Sequence, residues 1–220
     1  GVVYIHDMFP LSINEISAAL ELRREWEKKY GTDFPITKFY VDAARLERLL
    51  AVRDELENEG LLDPGEAERL FCLKLFADGA LGVRTSRLSE PYSDTDSRGL
   101  FYSTREQLVE GFEFAASRGL DSVALHALGD AGIALALDAA SEWQSIRSKF
   151  SAPTRLRIEH FELPIPAAET TARAKELGVF LCMQPTFLLD YAYRDRIGDR
   201  VKNLTPQALV AREGVPVFFG

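Results

Sequence analysis

Cysteine and histidine are scarce in this 220-residue chain, with two of the first and three of the second. Two cysteines cannot make a disulfide framework. Cys72 and Cys182 each lie inside an apolar run, so both are expected as buried thiols in a reducing, cytoplasmic setting. No apolar stretch approaches the roughly 20 residues that a membrane-spanning helix needs, and no signal-type segment is visible. Basic excess is missing too: 26 Lys and Arg against 34 Asp and Glu leave a net charge of −8. That charge repels nucleic acid and anionic membranes, and removes both from the expected partners. Internal repeats, low-complexity tracts and linkers are absent. With 46% hydrophobic residues the chain can bury a full core, and residues 1–220 read as one domain.

What the chain does have is alternation. Gly1–His6 has strand composition, and Ser12 with Glu15 then forms a capping box for a helix that runs to about Tyr30 and stops at Gly31. A strand over Ile36–Val41 leads to a charged amphipathic helix from about Ala43 to Glu59. Further strands are expected over Arg69–Phe76, Ser122–His126, Leu156–His160, Val179–Met183 and Val215–Phe219. Helices are expected from a Ser103–Glu106 capping box to Gly119, over Ala131–Ser148 and over Ala167–Leu177. A last helix starts at a Thr205 cap, with Pro206 at its first position, and ends before Gly214. Strict alternation of strand and helix implies parallel strands joined by helical crossovers. An open doubly wound sheet meets that description. The preferred reading is a (β/α)8 barrel of TIM type, incomplete by its first strand and the end of its last unit, because both termini fall in or beside strands.

Lys74, His126 and His160 each end a short apolar strand-like run. In a parallel sheet the three would converge at the carboxyl edge, where α/β folds place their chemistry. His6 also stands at a strand end, before Asp7, where it would contact substrate or serve the structure. Neutral imidazole binds zinc-like ions well, so a divalent metal site is the expectation. A lysine ending an apolar strand is costly to bury unless paired or altered. Three solutions are open: an ion pair with Asp78, a depressed pKa with Schiff-base chemistry, or carboxylation to a metal-bridging carbamate. The long polar segment Gly79–Tyr102 directly follows the Lys74 strand and is expected to shape the site.

The segment from Lys74 through Asp78, Gly79 and Gly82 to Ser86, continuing to Glu90–Asp94, resembles a signature of the amidohydrolase superfamily. The resemblance is to its branch called amidohydrolase family 3, which includes N-substituted formamide deformylase-like proteins. Ala124–Asp130 around His126, Arg157–His160 and Met183–Thr186 fit the same branch in the same order. The resemblance implies a (β/α)8 barrel whose carboxyl face holds one or two divalent ions, zinc by donor type. It implies that Lys74 is a carboxylated bridging ligand and that His126 and His160 ligate metal. Metal-activated water would then hydrolyse an amide-type, non-peptide C–N bond in a small molecule. By position, Asp78 and Gln184 would line the substrate pocket.

Members of that branch also carry a His-x-His pair on the first barrel strand, an aspartate after the eighth, and a small β-sandwich. None of these occurs in the 220 residues, so the segment is expected to be the middle of a longer enzyme and inactive alone. Two other readings compete: a catalytically dead fragment that serves as a binding or assembly module, and a Schiff-base lyase with Lys74 as nucleophile and Asp78 as proton shuttle. A homodimer is the default expectation for assembly.

Overall fold

The β-rich runs and capped helical stretches become seven strands and nine α-helical segments among the described residues, which in this computed structural model are 4–8, 12–151, 154–189 and 192–219. The strands are β1 (Tyr4–Met8), β2 (Ile36–Val41), β3 (Phe71–Phe76), β4 (Ser122–Ala127), β5 (Arg155–His160), β6 (Phe180–Met183) and β7 (Val217–Phe219). The helices are α1 (Ile13–Tyr30), α2 (Ala43–Ala51), α3 (Arg53–Asn58), α4 (Ala67–Leu70), α5 (Arg105–Ser117), α6 (Asp130–Ile146), α7 (Ala167–Glu176), α8 (Ala192–Ile197) and α9 (Gln207–Glu213). None is long and apolar enough to cross a membrane.

All six strand pairings are parallel, and the strands lie in chain order from β1 to β7. A doubly wound sheet must reverse its order once; this one never does. Right-handed crossovers in a single direction put the crossover helices on the same face. Side chains alternate accordingly. Phe39, Val41, Phe71, Leu73, Val123, Leu125, Ile158 and Leu181 face the helices and join Leu46, Leu49, Phe112 and Trp143 in the main core. Tyr40, Cys72 and Ala124 form a separate cluster on the opposite face, with Met8 against it. That inner face curls on itself: the His6 ring on β1 lies 6.3 Å from the Phe218 ring on β7, and Arg157 on β5 reaches His6. The architecture is an incomplete α/β barrel of TIM type.

Local details differ from expectation where tertiary contacts intervene. The first strand is described from Tyr4; residues 1–3 lie outside the described set. Ser103 does not cap α5, because its Oγ donates to the Phe76 carbonyl at 2.8 Å. Thr104 caps instead, in a reciprocal box with Gln107. Both frames satisfy the capping pattern, and the bond to β3 selects the second. The expected helix over Ala43–Glu59 breaks at Val52 into α2 and α3, and Ala67–Leu70 is helical before β3 begins at Phe71. Thr205 caps nothing: its φ is 47°, its N–H donates to the Glu162 carbonyl, and Pro206 becomes the N-cap of α9. The connection after β6 carries two 3-10 segments, Pro185–Leu189 and Gly198–Asn203, and α8, none of them expected. Cys72 and Cys182 are buried free thiols, as expected.

Phe112 is fully buried, with its ring edge-on to Trp143 at 6.2 Å between centroids. Phe112→Ala is expected to lower unfolding free energy by about 3–5 kcal/mol, read from the urea midpoint, whereas Phe112→Leu should cost clearly less.

Candidate metal centre at the carboxyl edge of the sheet

Parallel pairing carries Lys74, His126 and His160 on three adjacent strands, with Phe76 level with His126 and Ala127 level with His160. Strand alternation alone would turn His160 toward the helices beside Ile158. Instead its backbone takes φ 78°, and Phe161 takes φ 49°. The left-handed turn brings the His160 ring to 4.6 Å from His126, edge to face at 74°. Each such residue stores about 1–3 kcal/mol of strain. Phe161 is wholly buried and its N–H donates to Ala127 O at 3.1 Å, while Leu163 N–H donates to Leu128 O at 3.0 Å, so surrounding bonds hold the turn.

Each imidazole of the pair has one nitrogen committed. His126 Nε2 lies 3.0 Å from the Gly79 carbonyl, and His160 Nδ1 lies 2.8 Å from the Gln184 amide oxygen. Those oxygens only accept, so each bonded nitrogen carries the proton and the other, His126 Nδ1 or His160 Nε2, keeps its lone pair. A histidine that donates its second N–H to an oxygen is the usual outer arrangement of a metal ligand. Burial, then the neighbouring His160 and Lys74, pushes His126 down to about 3; burial and Lys74 also lower His160. Both rings are therefore neutral at physiological pH, the form that binds metal. Among the described residues no three His, Cys, Asp or Glu side chains come together as a metal cluster. The donors on hand are two imidazoles and, once made anionic, Lys74.

Lys74 is 5% exposed and makes no ion pair among the described residues, so the pairing with Asp78 does not form. Its Nζ lies 5.1 Å from the Phe76 ring centre. Burial pushes its pKa down to about 8, with Glu159 opposing the shift. A buried amine in that range is neutral in about a tenth of molecules near pH 7.

Asp78, expected at the substrate pocket, has no exposed surface and lies just past the carboxyl end of β3, outside the lining of the inner-face cavity. Its Oδ2 accepts from Gly129 N, Arg87 N and Ser86 Oγ and its Oδ1 from Leu128 N, at 2.8–3.0 Å. It staples the segment after β3 to the start of α6. Glycine is needed there, since a Cβ on Gly132 would sit 2.3 Å from Asp78 Oδ2. The Gly79–Tyr102 segment is ordered around its own apolar cluster of Leu81, Leu88 and Tyr92 with Tyr193 and Ile197, and through Gly79 it orients His126. His6 lines a cavity of about 930 Å³ on the inner face, together with Met8, Arg157, Glu159, Cys182 and Gln184. Gln184 thus touches both the cavity and His160. A smaller hollow of about 420 Å³ beside Trp143 and Leu177 lies at the opposite end of the strands.

Arg157 and Glu159 were not singled out by sequence reasoning. They form a buried ion pair on the inner face, 6% and 4% exposed in their side chains. A signal existed: two opposite charges at i and i+2 of an apolar strand must share one face.

A sequence model of the amidohydrolase family matches residues 11–220. The protein YtcJ of Bacillus subtilis is 31% identical over 148 residues, covering 66% of this chain and 26% of its own. Two solved structures, described as uncharacterized metal-dependent hydrolases, superpose with TM-scores of 0.72. That from Pyrococcus furiosus is 30% identical and covers 100% of this chain and 42% of its own; that from Pyrococcus horikoshii is 29% identical and covers 98% and 40%. The chain thus spans about a quarter to two-fifths of the length of these relatives.

A histidine held below its unfolded pKa binds fewer protons folded than unfolded, so its contribution to stability falls as pH drops from about 6.5 toward about 3 for His126. His126→Asn is expected to flatten the fall in urea midpoint across that window relative to the unaltered chain; an unchanged slope would show that His126 titrates normally.

Proposed function

This chain belongs to the amidohydrolase family, and on that premise we propose that the protein carrying it is a metal-dependent hydrolase of an amide-type, non-peptide C–N bond in a small molecule. The observation that supports the reading most is the pair of neutral imidazoles 4.6 Å apart, each with one nitrogen tied to an oxygen and the other bare, beside a buried lysine. A divalent ion held by His126, His160 and Lys74, zinc by donor type, would supply the Lewis acidity that polarises a carbonyl. The chain's own residues do the rest. Gly79 O and Gln184 aim the two rings. Burial keeps both imidazoles and part of the Lys74 population uncharged. A neutral Lys74 amine is also the species that takes up carbon dioxide to become an anionic carbamate donor. The narrower likeness to N-substituted formamide deformylases rests on the Lys74–Ser86 segment, and makes small N-substituted amides the first substrates to screen.

Lys74 also favours a second reading. A buried amine with a pKa near 8 is suited to Schiff-base chemistry. Asp78, the proton shuttle of that reading, is buried and accepts four hydrogen bonds, three of them on Oδ2.

Bound metal measured on protein purified without chelators separates the two. The hydrolase reading expects divalent metal that is lost in Lys74→Ala and His126→Ala, and chelator-sensitive amide hydrolysis. Gln184→Ala should weaken metal affinity about 10–100-fold by freeing the His160 ring. No metal, together with a borohydride-trapped carbonyl adduct on Lys74, would replace the hydrolase with the lyase.

A further inference from the structure

Arg157 is the most heavily engaged side chain on the inner face. Its Nε donates to Glu159, one terminal nitrogen donates to His6 Nδ1 at 2.7 Å, and the other contacts Met8 Sδ at 3.7 Å. The guanidinium lies over the Tyr40 ring, 4.8 Å from its centre, and the same Tyr40 ring stacks on His6 at 5.7 Å. Strands β1, β2 and β5 therefore meet on one planar group. A guanidinium has five N–H donors and no acceptor. The atom facing it on His6 must then offer a lone pair, which leaves the imidazole proton on Nε2. Burial, Arg157 and Lys38 together push His6 down to about 4, against Glu159, so the ring stays neutral.

We propose that Arg157 is a positioning residue that locks His6 as the Nε2–H tautomer, making His6 a neutral hydrogen-bond donor to an acceptor oxygen of the substrate in the 930 Å³ cavity. The substrate part of this inference rests on the hydrolase reading above; the tautomer part does not. The cavity wall explains why a donor there selects ligands. His6 and Gln184 both line it, and Gln184 holds His160, so the cavity that His6 faces adjoins the imidazole pair through Gln184. With Nδ1 occupied, His6 can bind only an acceptor. A cationic group at the same place would meet the Arg157 charge. The selected ligands are small molecules with a carbonyl or carboxylate oxygen set apart from the bond that is cut.

The test has two arms. In the first, nitrogen-15 NMR of the histidine side chains, with His6 assigned through His6→Gln, reads the tautomer near neutral pH. The expected result is protonated Nε2 and bare Nδ1. In the double variant Arg157→Met with Glu159→Gln, which removes both partners of the buried pair together, the His6 signals should shift toward a mixture of tautomers. A purely structural Arg157 would leave them unchanged, and a wild-type ring protonated at Nδ1 would overturn the inference. In the second arm, His6→Phe keeps the ring volume against Tyr40 but loses the donor, while His6→Gln keeps an N–H. His6→Phe is expected to raise KM about tenfold with little change in kcat, and His6→Gln to raise it no more than about threefold, as for loss of one hydrogen bond made equally in ground and transition states. Equal KM values for a folded His6→Phe and the wild type would overturn the substrate role. Failure of the wild type to hydrolyse any amide would instead count against the hydrolase reading, and the NMR arm would still decide the tautomer.

Discussion

A parallel sheet whose strands follow one another in chain order carries all its helices on one side, and its other side has only itself to bury against. That constraint governs most of what is seen. The helix-facing side chains make an ordinary apolar core around Phe39, Leu73, Phe112 and Trp143. The inner face must curl until β1 and β7 side chains meet, as His6 and Phe218 do. The inner wall therefore encloses the 930 Å³ cavity, and the polar groups buried in it have to satisfy one another.

It carries several. Removing a carboxylate and a guanidinium from water costs several kcal/mol per ion, and a buried pair is no net stabiliser by default. The Arg157–Glu159 pair is accommodated because the guanidinium also finds His6, Met8 and the Tyr40 face. Lys74 lies over the Phe76 ring but has no ion pair among the described residues, and burial lowers its pKa to about 8. Replacing a buried ion pair by apolar side chains of similar volume is often neutral or stabilising, so this pair is weak evidence for stability.

The site itself is held from outside the sheet. Asp78, with four donors on its two oxygens, joins the segment after β3 to the start of α6. With that joint closed, the Gly79 carbonyl stands where it meets His126. The left-handed turn at His160 is the matching device on β5, since it brings to the site a ring that strand alternation points away from it.

Much of this was legible in the amino acids. Period-2 apolar runs and capped helices reveal the strand–helix alternation, because burial on a pleated face and backbone capping are local effects. Lys74, His126 and His160 could be named as neighbours because strand ends of a parallel sheet share an edge. Local chemistry could not choose between the Ser103 and Thr104 caps, nor foresee that Thr205 would bond to the Glu162 backbone. Nor could it tie Asp78 to the start of α6, set Arg157 against His6, or turn His160 through a positive φ. Those outcomes depend on groups 8 to 151 residues apart in the chain competing for one donor or one acceptor. Sequence determined which residues stand at the edge of the sheet; only the folded chain, by deciding which buried polar atom pairs with which, determined what each of them can do there.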